Sequence, residues 1–214
     1  MDSIRENIKR IQTTLPPSVK LMAVTKQRSV EEIRQAIGAG ISVIGENYVQ
    51  EAQDKYPYLF GVEKHFIGHL QRNKVKKALE IFDWIDSVDS LFLAQEISKK
   101  ALRTTPILIQ VNAGKEVQKS GCMPHDSLDL IKQISVLPNI AIKGLMIVTP
   151  MTTILQLQQL FEEMHDLFVH IRQENIPNVD MNTLSMGMSS DYALAVQQGS
   201  TLVRMGEGIF GQRK

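Results

Sequence analysis

The sequence predicts an α/β fold, specifically a (β/α)8 TIM barrel with an extra N-terminal helix. Short runs rich in Val and Ile alternate eight times with longer segments whose apolar residues recur at helical spacing. Runs such as Ile107–Ile109 are apolar at every position, which suits a parallel sheet covered on both faces. No Gly-x-Gly-x-x-Gly turn follows the first run, so the barrel is favoured over a doubly wound open sheet.

The first βα unit shows its boundaries most clearly. Val19–Thr25 is a candidate strand, and Ser29 with Glu32 forms a predicted capping box at the start of the next helix. Gly38 and Gly40 lie where that helix should stop.

The other units repeat this alternation along the chain. The further candidate strands are Val43–Glu46, Lys64–Ile67, Trp84–Val88, Ile107–Val111, Ile140–Met146, Asn182–Ser185 and Thr201–Met205. The further candidate helices are Ser3–Thr14, Tyr48–Tyr56, Asn73–Ile81, Ser90–Leu102, His125–Leu137, Thr153–Asn175 and Ser190–Gln198. The first of these helices precedes the barrel, and Pro57 closes the second.

The composition is that of an ordinary folded protein, and we expect one domain over residues 1–214. The chain has 24 Lys and Arg against 23 Asp and Glu, a net charge of +1, which argues against nucleic acid or an anionic membrane as a partner. Its single cysteine, Cys122, excludes an internal disulfide and a cysteine-built metal site. No secretory signal or membrane-spanning run is present, so we expect a cytoplasmic protein.

Lys26 is the most informative single residue. In this fold ligands bind at the carboxyl ends of the strands, and Lys26 directly follows the first strand. Partial removal from water favours the neutral form of a lysine amine, which attacks carbonyl groups to form Schiff bases. Its position alone also fits an ordinary solvated lysine.

Two loops of small residues follow the last two predicted strands. Ser185–Ser189, which contains Gly187, and Gly206–Gly208 would allow backbone N–H groups to approach an anion, and a phosphate site often forms at this place in the fold. The same residues also serve ordinary turns. Arg204 lies beside these loops, where it could bind the phosphate or point to the barrel centre and donate to a ring nitrogen.

Other strand ends contribute further candidate pocket residues. Asn47, His69 and Met146 follow or end the second, third and sixth strands. A local basic cluster is interpreted as a solvated helix face rather than as a nucleic-acid surface; its members are Arg72, Lys74, Lys76 and Lys77.

Long motifs occur in collinear order along nearly the whole chain. They are Ala23–Lys26, Gly45–Glu51, His65–Lys74, Gln110–Asn112 with Glu116, Lys119 and Gly121, Gly144–Met146, Leu184–Ser189, Gly199–Thr201, Val203–Arg204 and Ile209–Gly211. These segments resemble the pyridoxal phosphate homeostasis protein family. The departures are Thr25 where serine is expected, Ile44 where phenylalanine is usual, and a shorter segment after Pro150, Met151–Ile154, where a lid is expected.

The resemblance implies a barrel like that of alanine racemase, binding pyridoxal 5′-phosphate (PLP) as a Schiff base on Lys26. It also implies that Ser185 and the backbone around Gly206 hold the phosphate, that Arg204 faces the pyridine nitrogen, and that Asn47 and His69 line the pocket. A cationic arginine disfavours a protonated pyridinium, unlike the aspartate that many PLP enzymes use.

The favoured function is a binder and regulator of intracellular PLP without strong catalytic activity. In the racemase a second domain and a dimer partner supply an acid/base tyrosine, and we expect no such domain after Lys214. Loss of one acid/base group lowers the catalytic rate by about 10²–10⁴-fold. The expected partners are PLP and apo PLP-dependent enzymes as recipients, and we expect a monomer. The alternatives are a PLP-dependent amino-acid racemase or lyase of narrow specificity, and a phosphosugar-type barrel enzyme that uses Lys26 for a carbonyl Schiff base.

Overall fold

Eight parallel strands close into a barrel in a computed structural model that describes residues 3–114, 120–150 and 152–212. The strands are β1 (Lys20–Val24), β2 (Val43–Glu46), β3 (Glu63–Phe66), β4 (Trp84–Val88), β5 (Thr105–Val111), β6 (Ile140–Ile147), β7 (Val179–Ser185) and β8 (Leu202–Met205). Each strand pairs with its neighbour in sequence, and β1 pairs with β8, with Met22 opposite Arg204. This closure confirms the predicted barrel and excludes the open sheet.

One helix precedes the barrel and one follows each strand. The helices are α1 (Ile4–Thr14), α2 (Val30–Gly38), α3 (Val49–Lys55), α4 (Val75–Ile81), α5 (Leu91–Lys100), α6 (Ser127–Ser135), α7 (Ile154–Gln173), α8 (Tyr192–Gln197) and α9 (Glu207–Phe210). Short 3-10 turns occupy Tyr56–Tyr58, Arg72–Lys74 and Pro124–Asp126. No helix in the described ranges is both long and apolar enough to cross a bilayer.

The predicted capping of α2 is confirmed. Ser29 accepts a hydrogen bond from the Glu32 N–H, and the Glu32 side chain accepts one from the Ser29 N–H. Such reciprocal bonds satisfy two otherwise orphaned donors, and loss of an N-cap costs about 1 kcal/mol. The helix ends at Gly38, and Gly40 has a φ of +102°, which favours glycine.

The structure differs from the predicted boundaries in three instructive places. Strand β7 starts at Val179 rather than Asn182. The apolar run does not reveal this start, because exposed Asp180 and Asn182 alternate with more buried residues and interrupt the run. Pro57 does not follow a helix directly but lies in a 3-10 turn, at whose start proline is tolerated. Helix α9 occupies part of what was expected to be a loop. The motif residues Glu116 and Lys119, and Met151 of the predicted lid segment, lie outside the described residues.

The apolar core is divided by the sheet. In β1, Leu21 and Ala23 pack into the large core between strands and helices, whereas Met22 belongs to a small buried cluster with Val43 and Leu202. This alternation follows from the period of two in a strand, which places Met22 on the other face of the sheet, inside the barrel.

A buried polar cluster occupies the amino end of the barrel. His65 is 2% exposed, and its Nδ1 lies 2.9 Å from both carboxylate oxygens of Asp86. Its Nε2 lies 3.1 Å from Oε1 of Glu63, and its ring stacks on Trp84 with 4.9 Å between centroids. Burial alone would lower the pKa of His65, but the two carboxylates outweigh it and raise that pKa to about 9. His65 is therefore an imidazolium at neutral pH.

Replacement of His65 by glutamine should flatten the pH dependence of stability. Because the pKa of His65 is raised from 6.5 to about 9 by folding, its stabilising contribution is complete below pH 6.5 and is lost as the pH rises through 9. Over that window the free energy of unfolding of the wild type should fall, relative to His65→Gln, by on the order of 3 kcal/mol. Urea unfolding across the window measures this. Parallel pH profiles for the two proteins would contradict the assignment.

Candidate functional site

A cavity of about 350 Å³ opens at the carboxyl ends of the strands. This volume lies within the range of small-molecule pockets, about 300–1,000 Å³. Its walls are partly apolar, with side chains from the ends of several strands and the loops after them: Val24, Ile67, Met146, Val148 and Met188. Such walls suit the faces of a flat ring.

The cavity lining brings together most of the predicted site residues. Five of the eight predicted residues line this cavity: Lys26, Asn47, Met146, Arg204 and Gly206. The remaining three, His69, Ser185 and Gly187, do not belong to its lining. Ser189, Ser190 and Glu207 complete the polar lining.

Lys26 extends into the cavity from a turn that is tied to the neighbouring strand. Thr25 is fully buried; its N–H donates to the Gly45 carbonyl at 2.9 Å, and its Oγ1 lies 2.9 Å from Oε2 of Glu46. Gln27, on the other side of Lys26, has a φ of +58°, a left-handed conformation that is uncommon for a residue other than glycine. The backbone on both sides of Lys26 is therefore tightly folded.

The same turn is joined to the end of the barrel by Arg28. Its guanidinium donates to the carbonyl groups of Phe210 and Gly211 and lies over the Phe210 ring, 5.3 Å from its centroid. These contacts connect the turn that carries Lys26 with α9, the helix that follows Gly206.

Arg204 forms part of the cavity floor and is fixed from two sides. It is 5% exposed; its Nη1 donates to the Ser185 carbonyl at 2.8 Å and to Ser185 Oγ at 2.7 Å, and its Nη2 donates to the Ile147 carbonyl at 2.6 Å. Burial lowers the pKa of Arg204 to about 10, against the opposing charges of Asp86 and Asp191. Arg204 therefore remains a cation at neutral pH. The side chain thus reaches from β8 to the ends of β7 and β6; whether it contacts a phosphate or a ring nitrogen stays a prediction.

Ser185 and Gly187 support Arg204 and α8. Ser185 is fully buried, and its hydroxyl oxygen accepts the hydrogen bond from Arg204. Gly187 has a φ of +97°, and a Cβ there would lie 2.7 Å from the Ala195 methyl group, so only glycine fits. Its carbonyl accepts the Arg204 N–H at 3.0 Å.

The polar side of the cavity is built by the loop after β7 and the start of α9. Ser189 Oγ accepts the Gly208 N–H at 3.1 Å, which joins the two segments. Asp191 accepts hydrogen bonds from the Met188 N–H and from the Thr149 hydroxyl, and these two bonds hold the same loop in place. Hydroxyl and backbone groups thus line this side together with the exposed carboxylate of Glu207; the hydroxyl and backbone N–H groups are donors suited to the oxygens of an anion.

His69 lines an adjoining cavity instead. This second cavity measures about 410 Å³ and shares Asn47 with the first. His69 is exposed, and its Nδ1 lies 3.2 Å from Ser120 Oγ. The Asn47 Oδ1 is buried without a hydrogen-bond partner among the described residues. A Cβ on Gly68 would lie 2.1 Å from the Asn47 carbonyl oxygen, so glycine is required beside it.

Several lining residues were not predicted from the sequence. Ile67 and Val148 lie at strand ends, where the same rule that selected Lys26 would have found them, but apolar residues carry no chemical signal there. Within the described part of the chain, no group of three or more His, Cys, Asp or Glu side chains is arranged to hold a metal ion.

Comparison with known sequences gives a consistent set of relatives. The chain matches the family model "Alanine racemase, N-terminal domain" over residues 1–214. It is 43% identical to the pyridoxal phosphate homeostasis protein of Pasteurella multocida, over 98% of this chain and 94% of that protein. It is 36% identical to the protein of the same name from Escherichia coli, over 92% and 87%.

Comparison with solved structures identifies similar barrels. PipY of Synechococcus elongatus, 38% identical, matches with a TM-score of 0.92 without PLP and 0.90 with PLP bound, over 98% of this chain and 100% of PipY. An alanine racemase of Clostridium difficile matches with a TM-score of 0.80 at 14% identity, over 99% of this chain and 56% of the racemase, which indicates a shared fold.

Replacement of Arg204 by lysine should destabilise the protein even without a ligand. Lysine keeps the charge but lacks the planar fork that reaches both Ser185 and Ile147. We expect the free energy of unfolding to fall by about 1–3 kcal/mol in urea titrations. Arg103→Lys, at an exposed ion pair with Asp83, is the control and should change it by less than about 0.5 kcal/mol. Equal stability of Arg204→Lys and wild type would refute the role of the fork.

Proposed function

Because the chain belongs to the pyridoxal phosphate homeostasis protein family, within the wider family of alanine racemase N-terminal domains, we propose that it binds PLP and takes part in PLP homeostasis. The proposed site is the cavity at the carboxyl ends of the strands. The relative PipY, 38% identical over nearly the whole chain, has been solved with PLP bound. The observation that carries the proposal is that Lys26 and Arg204 line one cavity beside a side rich in serine and glycine.

The groups around the cavity match those that PLP requires. A primary amine, that of Lys26, lines the cavity where we place the aldehyde, and apolar walls face the space for the ring. Ser189, Ser190 and the backbone at Gly206 offer donors for phosphate oxygens. We assign the phosphate to these residues rather than to Ser185, because the Ser185 hydroxyl is buried against Arg204.

Bound PLP supplies an aldehyde, with which a primary amine condenses to a C=N bond with loss of water. We assign that amine to Lys26. Arg204, a cation at neutral pH, faces the ring nitrogen in this proposal and disfavours its protonation. An unprotonated ring withdraws electrons weakly, so the residues suit storage of PLP better than carbanion chemistry.

The tyrosines also support binding without strong catalysis. The chain has four tyrosines, all described, and none lines the cavity. Tyr56 is buried with its hydroxyl 3.2 Å from Thr25 Oγ1, and Tyr192 lies 3.1 Å from Thr14 Oγ1. No tyrosine is therefore in place to exchange protons with a ligand opposite Lys26.

The finer part of the proposal concerns delivery. A protein that holds PLP through a reversible C=N bond can release it to acceptors that form the same bond more favourably. Apo forms of PLP-dependent enzymes are such acceptors, since their own lysines take up the aldehyde. We propose a monomer as the binding unit.

Replacement of Lys26 by alanine should abolish covalent PLP binding. With PLP, the wild type should gain a visible absorption band, and borohydride followed by mass spectrometry should place the label on Lys26. The Lys26→Ala variant should show neither, because no amine would remain at that place in the cavity. Lys132→Ala, at an exposed pair with Glu174, is the control and should behave as the wild type.

Three outcomes would contradict this proposal. A wild type that stays colourless with PLP would refute PLP binding in this form, and a label elsewhere than Lys26 would refute the site. Sustained turnover of D- or L-amino acids by the wild type, lost in Lys26→Ala, would show an enzyme rather than a carrier.

A further inference from the structure

The two peptide groups that flank the Cα of Lys26 are both held by α3. The Thr25 carbonyl, before Lys26, accepts a hydrogen bond from Nζ of Lys55 at 3.0 Å. The Gln27 N–H, after Lys26, donates to Oε1 of Glu51 at 2.5 Å. The two peptide planes determine φ and ψ of Lys26, so these bonds fix the direction of its Cα–Cβ bond, from which the side chain starts.

The two holding side chains are themselves joined. Lys55 and Glu51 lie one turn apart on α3 and form an ion pair. They therefore act on the backbone as one unit. Glu51 in addition stabilises Gln27 in a left-handed conformation, which costs free energy for a residue with a Cβ.

A third charged group, Glu46, anchors the unit to the barrel. Its side chain is fully buried; Oε1 accepts the Asn47 and Tyr48 N–H groups at 2.7 and 3.3 Å, and Oε2 lies 3.7 Å from Lys55 Nζ. Burial and then the charge of Glu51 raise the pKa of Glu46, while Lys55 opposes them. Lys55 is thus the cation that both carboxylates share.

The burial of this cluster distinguishes it from an ordinary helix ion pair. Lys100 and Glu96 have the same spacing on α5, with side chains 32% and 20% exposed, whereas Lys55 and Glu51 are 13% and 23% exposed. What distinguishes the cluster on α3 is the more buried lysine and its second partner Glu46, which is fully buried. Buried ion pairs often contribute little to stability relative to apolar side chains, and their best-attested role is to specify geometry. The geometry specified here is that of the turn carrying Lys26.

We propose that Lys55, held by Glu46 and Glu51, is a positioning residue that aims the Lys26 amine into the cavity. This inference rests on the proposed function, in which Lys26 is the residue that takes up PLP. It adds that α3, which contributes no side chain to the cavity lining, controls how readily that bond forms.

The test compares two ligands that differ only at the reacting carbon. PLP needs the aimed amine, whereas pyridoxine 5′-phosphate carries an alcohol there and cannot form a C=N bond. In Lys55→Met, PLP should attach about tenfold or more slowly, because misplacement of a reacting group by 1 Å can lower a reaction rate 10²-fold. Stopped-flow absorbance and borohydride trapping measure the rate of attachment. Binding of pyridoxine 5′-phosphate, measured by calorimetry, should not change.

Matched variants separate positioning from folding. Lys55→Arg keeps a charged donor and should restore much of the rate, and Lys100→Met on α5 should match the wild type. If Lys55→Met does not fold, Glu51→Ala carries the same expectation, because it removes the acceptor of the Gln27 N–H and leaves Lys55 paired with Glu46.

Each result decides the matter. Equally weakened binding of PLP and of pyridoxine 5′-phosphate would show that Lys55 has a merely structural role. An unchanged rate of PLP attachment would show that Lys55 has no role in positioning Lys26. Either result overturns the inference while the proposed function stands. A wild type that does not take up PLP on Lys26 would refute the proposed function, and this inference with it.

Discussion

The pairing of the first strand with the last is the constraint on which the site depends. Strands β1 and β8 run side by side from Lys20 opposite Leu202 to Ala23 opposite Met205. Their loops therefore leave the barrel together, and Lys26 shares a cavity with Arg204 and Gly206 although most of the chain separates them in sequence. A sheet left open at this edge would have no such cavity.

The interior of the barrel is constrained by its buried charges. Arg204, His65 and Asp86 are buried, and their donors and acceptors have partners within the protein. Beside them lies the small apolar cluster of Met22, Val43 and Leu202, with Ile67 packed against it. The charge of Asp86 acts on Arg204, so replacement of either group changes the electrostatic environment of the other at the floor of the cavity.

Local patterns in the sequence were sufficient to predict the barrel and part of the site. Buried parallel strands produce apolar runs. Lys26 and Arg204 could be selected because both lie near the carboxyl ends of parallel strands, where ligands bind in this fold. What could not be predicted depends on contacts between distant segments. The burial of Ser185 against Arg204 depends on the pairing of β7 with β8, and the reach of Lys55 to Thr25 depends on how α3 packs. The spacing of Glu51 and Lys55 predicts an ion pair on one helix, but not that the pair bonds to the backbone beside Lys26.

The turn from Thr25 to Arg28 has an entropic consequence. It is fixed by Lys55 and Glu51 on one side and, through Arg28, by the carbonyl groups of Phe210 and Gly211 on the other. Its order is established when the protein folds, before any ligand arrives, so a ligand that meets it loses mainly its own freedom of motion. Preorganisation of this kind raises affinity without added contacts. Loosening the turn from either side would shift that ordering cost from folding to binding.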